Sequence, residues 1–122
     1  MNEVMSSKTL KSGTPIIVVL RDPREKYWGV LDEINLAGVF LRGLDLKAFD
    51  DWVRAVAHDE PFIGLGDLFF PMWRVERISK DEAAGGIPSL CEQAEQRTGR
   101  TVMDLLSAAD DRPVYDADSG TA

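Results

Sequence analysis

The chain has 122 residues and a formal net charge of −7, with 44% hydrophobic and 29% charged residues. That length makes one domain and excludes a two-domain enzyme, because domains typically run about 100 to 150 residues. The composition is that of a folding chain, and no apolar run approaches the roughly 18 residues needed to span a bilayer, which points to a soluble, cytoplasmic protein with no membrane partner.

Residues 1–13 read as a flexible polar arm, since they show no sustained hydrophobic period. Thr14-Pro15 then opens Ile16-Ile17-Val18-Val19-Leu20, an apolar run rich in β-branched residues that predicts a strand buried on both faces. After the charged turn Arg21 to Lys26, Tyr27 to Ile34 reads as a second strand, in which Gly29 marks a bend or a close backbone approach. Asn35-Leu36-Ala37-Gly38 is a short turn into a third strand, Val39 to Gly43, so these runs form an antiparallel meander. Here the period switches: Leu46, Phe49, Trp52, Val53 and Val56 define one face of an amphipathic helix over about 46–58, stopped by Asp59-Glu60-Pro61. Two more β-like pieces follow, Leu68-Phe69-Phe70 and Met72 to Ile78, with Pro71 as the break between them. In the second piece, alternation places Trp73, Val75 and Arg77 on one side.

Past Lys80 the chain predicts a helical extension over 81–109. Ser89 is its N-cap, with Glu92 completing a capping box and Gly99 ending the first helix. Thr101 caps a second helix through Val102, Met103 and Leu105, and 110–122 reads as a disordered acidic tail. Residues 1–80 hold 11 Lys and Arg against 12 Asp and Glu, whereas 81–122 hold 3 against 9. The folded part is therefore close to neutral, and any RNA contact has to be local.

The fold these elements predict is a mainly β, small, strongly bent five-stranded barrel over 14–80, carrying the inserted helix. Thr14 to Ser79 resembles the Sm-like fold, shared by the spliceosomal Sm proteins, their Lsm relatives and the bacterial RNA chaperone Hfq. The matching residues are Pro15 to Leu20, Trp28-Gly29-Val30-Leu31, Gly38 to Leu41, and the closing Phe69 to Ile78. The resemblance implies rings, built because a sharp turn between the last two strands lets them pair with neighbouring subunits, and it implies RNA binding. The Lys-His pair that the bacterial chaperones place near that turn is missing here, where the chain reads Phe70-Pro71-Met72. A shorter likeness joins Glu33 to Gly38 to the Asp-x-Ser-x-x-Gly turn of PilZ domains, which implies cyclic-dinucleotide binding with Arg21 and Arg24 nearby.

Catalysis needs a nucleophile with a base, paired carboxylates in a cleft, a metal cluster or a cofactor loop. The single histidine, His58, falls at a helix end where it caps; the single Cys91 falls on a short helix as a packing residue. No metal site, cofactor or enzymatic activity is expected. Two roles remain. In the first, the chain self-associates into a homo-oligomer through Leu68, Phe69 and Phe70, an edge without charge to deter pairing, and binds single-stranded RNA through Tyr27, Arg42, Trp73, Arg74 and Arg77. In the second, it is a scaffolding module that takes a protein partner on helix 46–58 or on its C-terminal extension.

Overall fold

The structure, a computed structural model, describes residues 10–62 and 64–105; the predicted acidic tail and most of the N-terminal arm lie outside that range. Its elements are β1 (Pro15–Leu20), β2 (Glu25–Asn35), β3 (Gly38–Asp45), α1 (Phe49–Ala57), β4 (Gly66–Pro71), β5 (Val75–Lys80) and α2 (Leu90–Thr98). The protein is mainly β. All five strands join one antiparallel sheet in the order β4-β3-β2-β1-β5, which leaves β4 and β5 at its margins.

The margins of this sheet are tied together at one corner. In a flat five-stranded sheet the outer strands stand about 19 Å apart, four spacings of about 4.8 Å. Here only Met72–Arg74 separates them, a single 3₁₀ turn that rises about 6 Å. The sheet must therefore curl until its edges converge. The turn is held from both sides: the Met72 amide donates to the Ala37 carbonyl at 2.9 Å, and the Arg21 amide donates to the Arg74 carbonyl at 2.8 Å. No ladder joins β4 to β5, so the predicted barrel is corrected to a curled sheet that is not closed. The predicted strand from Met72 is also corrected. Pro71 ends β4 and the backbone spends three residues in the 3₁₀ turn, so β5 begins only at Val75 and Trp73 does not share a strand face with it.

Curling is possible because of a glycine pair. Gly29 of β2 lies opposite Gly43 of β3, and a Cβ on either would collide with the other strand's backbone. At this crossing the strands approach more closely than side chains allow. A register shift between Leu31 and Glu33 adds further bend to β2.

The inner face of the curl is lined by Ile16, Val18, Leu20, Leu31, Val39, Leu41 and Phe70, a cluster shielded from water. Each fully buried aliphatic side chain of this kind contributes about 1.5–3 kcal/mol. The opposite face carries Trp28, Val30 and Leu44, and these are covered by α1 and by residues 90–105. β1 is thus buried on both sides, as its β-branched run predicts.

The helices follow their sequence signals. Asp45 accepts from the Lys47 amide at 2.8 Å and starts a short 3₁₀ turn, Leu46–Ala48, that leads into α1. Phe49, Trp52, Val53 and Val56 form its buried face. At its end the His58 ring donates from Nδ1 to the Arg54 carbonyl at 2.8 Å, the capping position expected of it. Ser89 and Glu92 make the reciprocal capping box of α2, and Gly99 ends that helix in the left-handed conformation, φ 73°. Thr101 then accepts from the Asp104 amide at 3.1 Å, and residues 102–105 are helical. No helix among the described residues is long and apolar enough to cross a membrane.

Candidate functional site

The corner between β4 and β5 gathers most of the residues singled out in the sequence. Trp73 stands there with 64% of its surface exposed, the most open aromatic ring among the described residues. Arg21 and Arg74 bracket it through the backbone. Arg21 Nε donates to the Trp73 carbonyl at 3.0 Å, and Arg74 Nε donates to the Arg21 carbonyl at 2.9 Å. Arg74 is otherwise committed, since its Nη2 donates to the Pro23 carbonyl at 2.9 Å and to Glu25 at 3.2 Å. It fixes the β1–β2 turn against the 3₁₀ turn and has little left for a ligand. Arg24 is engaged too, by a two-oxygen contact with Glu76 at 3.0 and 3.2 Å. Arg21 and Arg77 are exposed beside them.

Tyr27 joins this neighbourhood from the inside. Its ring packs on Phe70 with centroids 4.7 Å apart, so half of its stacking capacity is already used. Burial, then the nearby Glu25 and Asp45, hold its phenol above the usual value, with Arg74 opposing them. Arg42 is elsewhere. It lies on the helix-covered face of β3, bonded to Asp67 of β4 at 2.7 Å, four residues along the strand from the corner. Of the five RNA candidates the structure therefore brings together Tyr27, Trp73, Arg74 and Arg77, and leaves Arg42 apart.

The three interface candidates divide by strand alternation. Phe70 is buried in the inner cluster and Leu68 packs against it, so both side chains belong to the fold. Phe69 points to the other face, 45% exposed, where its ring meets Phe40 at 4.7 Å. Among the described residues β4 pairs with β3 alone and β5 with β1 alone, so the outer backbone of each margin is unladdered. The Phe40–Phe69 pair was not singled out in the sequence, because only the β3–β4 register places those two rings together.

Asp81 was also missed. Its carboxylate accepts from the Trp28 indole at 3.0 Å and from the Leu90 and Cys91 amides, both at 2.8 Å. It thereby ties the last strand, a fully buried indole and the first turn of α2 to one residue. Cys91 beside it is pushed up to about 12, first by burial and then by the Asp81 charge, which makes its thiol a packing group and not a nucleophile at neutral pH. Among the described residues no three His, Cys, Asp or Glu side chains form a group able to hold a metal.

The predicted partner-binding face of helix 46–58 is occupied by the fold itself, since Phe49, Trp52, Val53 and Val56 pack on Trp28, Leu65, Ala94 and Val102. The helix presents Asp50, Asp51 and Arg54 outward, with Asp50 bonded to Arg97 of α2 at 2.8 Å. At the C-terminal end of α1 a cleft of about 540 Å³ opens between the helix, the 59–65 loop and residues 100–105. The PilZ-like turn is closed locally: Asn35 accepts from the Ala37 amide and donates to Glu33, both at 2.8 Å. No family model matches the chain, and no curated protein or solved structure matches it either.

Proposed function

We propose that the chain is a non-catalytic, self-assembling unit of Sm-like type, in which the curled sheet acts as a small barrel and copies join edge to edge. The observation that carries this reading is the pair of unladdered margins, β4 and β5, brought to one corner by a three-residue turn. An open edge presents unpaired amides and carbonyls, and a head-to-tail contact between two different edges closes into a ring when the rotation permits. Phe69 and Phe40 lie beside the β4 margin and supply apolar surface to such a contact.

A second activity of the same unit, single-stranded RNA binding, is favoured by Trp73. An exposed indole flanked by Arg21 and Arg77 is a stacking platform with cationic neighbours. Arg42 and Arg74 are removed from that platform, because each already has a structural partner.

Light scattering coupled to size exclusion, run with and without a short single-stranded RNA, tests both. The expected mass at tens of micromolar is a small multiple of one chain, with RNA co-eluting in a manner that weakens as salt rises. A monomer at that concentration overturns the assembly. Co-elution that survives Trp73→Ala combined with Arg77→Glu overturns the RNA platform.

A further inference from the structure

The cleft at the end of α1 has a chemistry that the assembly and RNA readings leave unused. Trp52, Ala55, Val56, Leu65 and Leu105 make an apolar floor, and Asp59 and Glu60 stand on one lip, with Arg100 also on its wall. At about 540 Å³ it lies in the range of built binding pockets, about 300–1,000 Å³. Trp52 and Phe62 approach edge to face across it, with centroids 6.4 Å apart.

The described chain ends at this cleft, and Leu105, its last described residue, is itself part of the floor. The sequence that continues from there is complementary. Residues 106–122 hold one cation, Arg112, and beyond Leu106 their only large apolar residues are Val114 and Tyr115. The run Arg112-Pro113-Val114-Tyr115 thus sets a cation beside an apolar pair, while the cleft sets two carboxylates beside an apolar floor. Asp110 and Asp111, which precede it, complement Arg100. Nine residues separate Leu105 from Val114, and an extended chain covers about 3.3 Å per residue, so the reach of about 30 Å exceeds what the cleft requires.

We infer that the cleft is a docking site for the chain's own C-terminal segment, with Val114 and Tyr115 on the Trp52 floor and Arg112 at the Asp59–Glu60 lip. Docked in this way the segment covers apolar surface that is otherwise open to any amphipathic peptide. This inference is independent of whether the sheet edges assemble.

Nuclear Overhauser spectroscopy on the full chain decides it. The expected result is contact between the Val114 methyls or the Tyr115 ring and the Trp52 ring and the Ala55 and Leu105 methyls, unchanged on dilution. Val114→Asp combined with Tyr115→Asp should abolish those contacts and shift the Ala55 and Leu105 methyls, while Val18 and Val39 in the inner cluster stay in place. Absence of the contacts in the unaltered chain overturns the inference. Contacts that fade on dilution overturn it as well, by giving the cleft to the tail of a second copy.

Discussion

The outer face of β3 has two ends with the same chemistry and opposite fates. At one end Leu44 is buried with Trp28 beneath α1, and at the other Phe40 is 38% exposed against Phe69. Arg42 lies between them on the same face, bonded to Asp67. Both ends carry large apolar side chains in cross-strand contact, and they differ only in whether the chain supplies a cover. The covered end is where stability is concentrated, and the open end is surface that the fold leaves for another use.

The difference can be broken most severely at Trp28. Truncation by Trp28→Ala should cost about 3–5 kcal/mol, because it empties the space under α1 and strips Asp81 of one donor. A urea titration followed by circular dichroism measures this, and a cost below about 1 kcal/mol would mean that the helices do not need the indole. Asp81→Ala comes next, at about 1–3 kcal/mol, since it leaves an indole N–H and two helix amides without their acceptor. Amide exchange should locate that loss at Leu90 and Cys91, with β2 and β3 little affected. The smallest effect belongs to the open end: Phe40→Ser should lower the stability of a single copy by no more than about 1 kcal/mol, the worth of an exposed cross-strand pair. A larger loss in a dilute denaturation experiment would show that Phe40 serves the fold and not a contact.

Local chemistry was readable in advance, and long-range pairing was not. The β-branched run at Ile16 to Val19, the helical period through Trp52, the Ser89–Glu92 box and the Gly99 stop all depend on neighbours within a turn or two, and each appears where the sequence put it. Trp73 misled because alternation around Val75 continued backward through it, whereas Pro71 had already ended the strand and a 3₁₀ turn intervened. The commitments of Arg74 and Asp81 span about fifty residues, to the β1–β2 turn and to Trp28, and no periodicity reports a partner at that distance. Composition likewise said nothing of the cleft, which exists only because α1 and residues 100–105 meet across the 59–65 loop.

Asp81 follows directly on β5, so its position is set by the pairing of that strand with β1, and α2 is seated by the same carboxylate. The stretch between them turns through Gly85 and Gly86, with Ala84 and Ile87 bonded to each other across the turn. Because the anchor precedes this excursion, insertions or deletions at its tip can lengthen or shorten the strap without moving the lid it leads to.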